Sequence, residues 1–447
     1  MKDPRTTELA KVLTSYSVNV QKGDHVYIDV VDTPDEMTNE LIKAISDLGG
    51  HVYVKTSSSR VLRTHRMNMT KEQLEISSEH DLELMKKMDA FIAISGNYNS
   101  SEDSDIPPKQ MGMIKSIRRP VINERVNNTK WCILRWPTPS MADSAGMSTE
   151  AFEDFYFKVC TFDYSKMKKA ATALVKRMEQ TDIVQIEGPN DTNVTFSIKD
   201  IPVIPCVGEF NVPDGEVFTA PVKDSMNGVI HYNTPTIYNG IKFEDVRLVI
   251  KDGKIIEATS SDNDALNIIL DSDEGARFFG EFAIGFNPYI TKAMCDILFD
   301  EKIAGSIHLT PGKCYDDASN GNTSTIHWDM VLIQTKEHYT PDTTRSTISF
   351  DGEIIREDGL FIVDDLKCLN PDELLKEKVE YTLNQIAKMA KRIANEYDNI
   401  PCSSTSIDDA CELFGNDNRA LIEQAFRYYP GYSYSDMNTI VDDLVDN

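Results

Sequence analysis

The stretch that decides the fold begins at His25-Val26-Tyr27-Ile28-Asp29-Val30, continues through Pro34 to Leu48, and passes Gly49-Gly50 into Val52 and Val54. Val26, Ile28 and Val30 recur at the period of two that puts one face of a strand against a core. Met37, Leu41, Ile42 and Ile45 then recur at helical spacing, and the two glycines supply the stop that a helix C-terminus favours. Val52 and Val54 open a second strand. A second helix is expected from Thr70, where Gln73 three residues on completes a capping box, and Ala90 to Ser95 is a short buried-strand run. Strand, helix and strand in this rhythm, maintained to about Ile122, predict a parallel sheet covered by helices. Neither a Gly-x-Gly-x-x-Gly nor a Walker-type loop is present, so no nucleotide is assigned, and Gly96-Asn97-Tyr98-Asn99 reads as a turn.

Further along, Trp131 to Met141 runs from an apolar strand into a corner fixed by Pro137 and Pro139. Helices are expected over Ser148 to Val159 and from Ser165 to about Met178. After that the period changes from 3.6 to 2. Ile183 to Ile186, Val194 to Ile198, Val229 to Tyr232 and a Val246 to Ala258 hairpin turning at Asp252-Gly253 are all strand-like. At the C-terminal end Val379, Leu383, Ile386, Met389, Ile393 and Tyr397 recur at helical spacing, followed by Ser404 to Tyr429 and an acidic end. The fold class is therefore α/β. A parallel α/β domain (residues 1–180) precedes a β-rich α+β metal-binding catalytic domain (181–370), and a small α-helical extension (371–447) follows.

Length and charge narrow the function. A chain of 447 residues exceeds one ordinary core, and a formal charge of −26 without any dense Lys/Arg run excludes a nucleic-acid surface. Eight scattered cysteines without a Cys-x-x-Cys fit a reduced chain better than a disulfide scaffold or zinc ribbon. The polar N-terminus lacks a signal-peptide core, and no apolar run reaches the roughly 18 residues of a membrane span, so a cytoplasmic protein without a membrane partner is expected.

Five residues stand out as metal ligands. His327 and Asp329 are two apart in a β-prone run with Ile326, Trp328, Met330 and Leu332 at the alternate positions, which predicts an imidazole and a carboxylate side by side on one strand face. His308 ends the apolar Gly305-Ser306-Ile307 step, and Glu281 sits in Gly280-Glu281-Phe282-Ala283-Ile284-Gly285. Glu216 follows the Pro213-Asp214-Gly215 turn at the mouth of a short apolar strand. Three carboxylates and two imidazoles in apolar, small-residue surroundings are about what two divalent ions (Zn2+, Co2+ or Mn2+) require, with one carboxylate shared and positions left open for water and substrate.

These motifs resemble the aminopeptidase T family of two-metal exopeptidases. Gly215 to Pro221 is similar to its first glutamate motif and Gly280-Glu281 to its second. His308 with Tyr315 seven residues on resembles its histidine and catalytic tyrosine, and Ile326 to Met330 its final ligand pair. The likeness spans roughly residues 5 to 370, with Pro137-Thr138, Ala145 to Ser148, and Asp351-Gly352 through Leu369-Asn370 as further landmarks. It implies a homodimeric metalloaminopeptidase acting on short peptides. Glu281 would accept the water proton and Tyr315 would donate to the developing oxyanion. Two other readings stay open: a metal-dependent amidase acting on a non-peptide acyl compound, and a silent binding homologue.

Overall fold

The computed structural model describes residues 3–96, 98–99, 101–376, 383–396, 407, 410 and 418–428. The chain divides into two compact units, Met1–Leu375 and Lys376–Asn447. In the first, β1 (His25–Val31), β2 (His51–Ser57), β3 (Ala90–Gly96) and β4 (Lys130–Trp136) run parallel in the order β2-β1-β3-β4. Val26, Ile28, Ile92, Ile94 and Leu134 are fully buried, so the period-two pattern does face a core. Asp35–Asp47 forms the expected helix between β1 and β2. The Thr70 side chain caps the helix Lys71–Met85, with Gln73 reciprocating through a 2.9 Å bond from the Thr70 N–H. A further helix, Pro108–Asn128, carries Pro120 in its interior, a residue that argues against helix when only sequence is in hand.

Past residue 180 the pairing becomes antiparallel. β5 (Ile183–Glu187) and β6 (Asn193–Ser197) pair with each other, and β7 (Ile204–Cys206) enters another sheet. The two-residue β8 (Asn211–Val212) then runs back to pair parallel with β4, completing the first sheet. There follow β9 (Glu216–Thr219), β10 (Asn227–His231), a ribbon of β11 (Thr236–Tyr238) and β12 (Ile241–Phe243), and the hairpin of β13 (Arg247–Lys251) and β14 (Lys254–Thr259). Asp252 and Gly253 at the hairpin turn have φ of 49° and 76°, the positive values that a two-residue hairpin turn of this kind requires. The remaining strands are β15 (Phe279–Gly285), β16 (Ser306–Pro311), β17 (Met330–Ile333), β18 (Thr347–Phe350), β19 (Glu353–Glu357) and β20 (Leu360–Phe361).

One sheet has the order β14-β13-β10-β6-β5-β18-β19-β20 and another β17-β16-β15-β9-β7. They pack on each other where Phe196 of β6 meets Phe282 of β15, ring centroids 5.0 Å apart. Because side chains alternate along a strand, Phe282 and Ile284 enter this core while Glu281, Ala283 and Gly285 face the other way. Buried Arg356 of β19 stitches the layers by donating to the Ser306 carbonyl (2.9 Å) and to Gln334 Oε1 (2.8 Å).

In the second unit the helices Leu383–Glu396 and Arg419–Tyr428 bury Ile386, Met389 and Ile393 with Ile422 and Ala425, as the apolar stripe suggested. Val379, Tyr397, Ser404, Phe414 and Tyr429 lie outside the described residues. No helix among the described residues is long and apolar enough to cross a membrane.

Candidate metal centre

The five candidate ligands come together on the outer face of the β17-β16-β15-β9-β7 sheet. In the strand register Ala283 stands opposite both His308 and Phe218, and Gly285 stands opposite Glu216. Glu281, His308 and Glu216 therefore project to one side, from strands β15, β16 and β9. Continuing the register from the Leu309–Met330 pair places Asp329 beside Thr310, whose hydroxyl donates to Asp329 Oδ1 at 2.7 Å.

His327 and Asp329 differ in one respect from the expected strand pair. Regular pairing in β17 starts only at Met330, and His327 forms an isolated bridge with Gly312. The reason lies in the bonds made by its neighbours, Lys313 N–H to the Ile326 carbonyl (2.8 Å) and Trp328 N–H to the Pro311 carbonyl (3.1 Å). The two side chains still meet, with His327 Nε2 lying 3.2 Å from Asp329 Oδ1.

Glu281 occupies the middle of the cluster. One of its oxygens is 3.3 Å from His308 Nε2, and the other is 3.3 Å from His327 Nε2. Two triads, Glu216-Glu281-His308 and Glu281-His327-Asp329, thus share this carboxylate, and within each triad a ligand atom from every residue lies within 4.8 Å of the others. Three atoms there are buried without a hydrogen-bond partner: Glu216 Oε2, His308 Nδ1 and His327 Nε2. Such groups are costly to bury unpaired, and each is a metal-ligand atom type, so the residues present fit a bound cation. His327 Nδ1 lies 2.7 Å from the Lys313 carbonyl. A carbonyl only accepts, so Nδ1 carries the proton and the Nε2 lone pair faces the cluster.

Charge in the cluster is dense. Burial works against an imidazolium at His308, but Glu216 and Glu281 outweigh it and hold His308 up at about 9. His327 is likewise raised against burial, chiefly by Asp329. Burial pushes Glu216 up to about 8, partly opposed by Lys302. In Glu281 and Asp329 burial is overcome by the histidines and both are lowered.

Tyr315 precedes a short 3-10 turn and packs edge-on against His327 (4.8 Å) and tilted against Phe218 (5.6 Å). It is half exposed, and its ring borders the cluster through His327.

Sequence reasoning missed Asp214, Glu301 and Lys302. Lys302 is 1% exposed, with its ammonium against Glu216 Oε1, 2.8 Å from Glu301 Oε1 and 3.5 Å from Asp214 Oδ1. Glu301 forms a further group with His308 and Asp329. This pair reaches the site because the chain crosses directly over Gly285, where a Cβ would lie 2.6 Å from the Ile303 carbonyl. The only signal in the sequence was a Glu-Lys pair immediately before the apolar Ile303-Ala304-Gly305 step. The Trp131–Met141 corner, by contrast, holds Arg135 through Ser95 Oγ (3.1 Å) and Asp296 (3.7 Å).

Comparison with known proteins gives a family model described as thermophilic metalloprotease (M29) that matches residues 2–354. Aminopeptidase 2 of Geobacillus stearothermophilus is 23% identical over 383 residues, covering 72% of this chain and 90% of that one. Wild-type AmpT from Thermus thermophilus superposes with a TM-score of 0.67 at 20% identity, covering 80% of this chain and 99% of that chain. A 2,5-dihydroxypyridine dioxygenase from Pseudomonas putida KT2440 superposes with a TM-score of 0.52 at 12% identity, covering 81% and 98%. These two likenesses establish the fold, which carries more than one chemistry, so the reaction has to be argued from the site.

Proposed function

The chain belongs to the M29 family of thermophilic metalloproteases, and from that premise we propose that it is a metalloaminopeptidase that uses two divalent ions to release the N-terminal residue of short peptides. The observation that carries this reading is the pair of triads sharing Glu281, with unpartnered ligand atoms in both. The charge balance agrees with it. Asp214, Glu216, Glu281, Glu301 and Asp329 are five carboxylates against the one Lys302 ammonium, a surplus of four that two divalent ions neutralise. Glu216 with His308 would hold one ion, His327 with Asp329 the other, and Glu281 would bridge them. Zinc, cobalt and manganese all suit this mixture of oxygen and nitrogen donors.

Ions held there would supply a water whose pKa is lowered toward about 7 and a Lewis acid for the scissile carbonyl. The rest falls to the chain. Glu281 is the assigned acceptor of the water proton, with Glu301, grouped with His308 and Asp329, as the other candidate carboxylate, and the acceptor returns that proton to the leaving amine. Tyr315 donates its phenol proton in a hydrogen bond to the developing oxyanion. The Lys313 carbonyl holds the His327 ring in the tautomer that coordination needs. All of these groups belong to residues 181–370, the catalytic part in this reading, with residues 1–180 as scaffold. The reading also takes the enzyme to be a cytoplasmic homodimer.

The test is metal analysis of the purified protein with turnover of an aminoacyl-arylamide panel. About two ions per chain and metal-dependent release of the arylamine are expected. Hydrolysis of other acyl compounds without any aminoacyl amide would replace this reading with an amidase. Glu281→Gln, which removes the bridge and the assigned acceptor together, should lower metal content and kcat in parallel, whereas Glu301→Gln should leave both near wild type; loss of kcat with full metal content in Glu301→Gln would move the proton-accepting role to Glu301.

A further inference from the structure

A cavity of about 230 Å3 opens beside His327 and Asp329, between the β11–β12 ribbon, the segment Cys295 to Asp300, and Trp328. Its inner walls are closed, since Trp328 and Val331 are each 2% exposed, while Ile237 and Ile297 form a rim that is about half open to solvent. One wall is flat and aromatic, made by Trp328 stacked on Tyr238 with centroids 4.7 Å apart and planes at 28°.

The polar groups of this cavity are already engaged with the protein. Thr234 Oγ1 donates to the Val331 carbonyl (2.6 Å), Thr236 Oγ1 accepts from Trp328 Nε1 (3.0 Å), and Asp300 Oδ1 accepts from the Met294 N–H (2.5 Å). Beside His327, Asp329 and Asp300, the cavity offers a guest apolar contact from Pro235, Ile237, Tyr238 and Ile297. Apolar cavities of about 150 Å3 take up benzene, so this one has room for an isobutyl or a phenyl group.

We propose that this cavity receives the side chain of the residue being released, and that it selects large apolar side chains, aliphatic or aromatic. The inference rests on the aminopeptidase reading above. Because the cavity shares His327 and Asp329 with the metal centre, only a group within a few bonds of the scissile carbonyl reaches it. The leaving side of an exopeptidase must pass chains of varied length, whereas this cavity ends against Trp328 and Val331. The first residue is therefore its occupant, and neither a charged nor a very small side chain gains from it.

The experiment is kcat/KM for Gly-, Ala-, Leu-, Phe- and Lys-arylamides with metal-loaded enzyme, repeated with Ile297→Trp, which fills the rim, and with Ile237→Ala, which removes contact from its other side. Single methylene differences in apolar pockets are worth about 10-fold or more, so Leu and Phe should exceed Ala by at least that, with Lys no better than Ala. The Leu/Ala ratio should fall about 10-fold in Ile297→Trp with metal content retained. Ile237→Ala provides the same readout, a reduced ratio, should the tryptophan variant not fold. A flat profile, a preference for Gly, Ala or Lys, or a ratio unmoved in the folded variants overturns the pocket assignment while leaving the activity. Rates of Xaa-Leu and Leu-Xaa dipeptides that follow the second residue rather than the first overturn it too. No turnover of any arylamide or dipeptide overturns the activity and the pocket together.

Discussion

Strands β3 and β15 both lie inside their sheets, but they use burial for different ends. In β3 the buried positions are Ala90, Phe91, Ile92, Ile94 and Gly96, residues that water exclusion alone stabilises. In β15 every residue is buried, and one of them is Glu281 at 3% exposed. A carboxylate there is unfavourable unless a cation or a set of donors compensates it. The first sheet is accounted for by packing, whereas the second buries carboxylates and imidazoles that packing alone does not compensate. In the proposed reading, stability and function thus sit on separate strands of one compact unit.

The strongest way to break that comparison is His308→Ala, which removes an imidazole from the Glu216-Glu281-His308 triad. Metal bound there should be lost, and turnover should fall beyond the roughly 10³-fold that a single oxyanion donor is worth. Full metal occupancy by elemental analysis together with a normal rate would take His308 out of the centre. Tyr315→Phe comes next. It should lower kcat by about 10²–10³-fold and kcat/KM to a similar extent with the metals retained, because the phenol is assigned to the transition state and not to coordination. An unchanged kcat removes it from the mechanism.

Thr310→Val keeps the volume of a fully buried residue but deletes the donor to Asp329, so metal affinity should drop about 10–100-fold while the protein stays folded. Equal affinities by metal titration would show that this hydrogen bond does not orient the ligand. The smallest effect is expected on the other side of the comparison. Ile92→Val in β3 should cost about 0.5–1.5 kcal/mol in denaturant unfolding and leave metal affinity where it was. A parallel loss of metal affinity would mean that the two sheets do not divide the work as described.

How much of this was legible depends on the range of the interactions involved. The helix ending at Gly49-Gly50, the Thr70 cap and the Asp252-Gly253 turn are local devices, and each stands where its residues put it. The candidate ligand positions were visible because Glu216, Glu281, His308, His327 and Asp329 interrupt apolar runs with groups that such runs do not otherwise contain. Glu301 and Lys302 were not, because next to Asp300 they read as a solvated turn, and what buries them is the crossing over Gly285. Pro120 hid a helix. The irregular pairing of His327 and Asp329 ahead of β17 was not legible because it depends on bonds to Pro311, the last residue of β16, and to Lys313 beyond it. Two-residue β8 has no periodicity to read at all.

That small strand has a consequence for anyone recombining this chain with a relative. The backbone leaves the sheet of the candidate metal centre after Cys206, lends Asn211 and Val212 to the edge of β4, and reaches Glu216 four residues past Val212. A chimera joined at residue 180 would ask a foreign β4 to accept this strand, and any misfit there would be transmitted over those four residues to Glu216. A junction placed beyond Thr219 carries β4, β8 and Glu216 across as one inherited piece, so crossover points that respect the metal centre lie inside the β-rich half and not at its border.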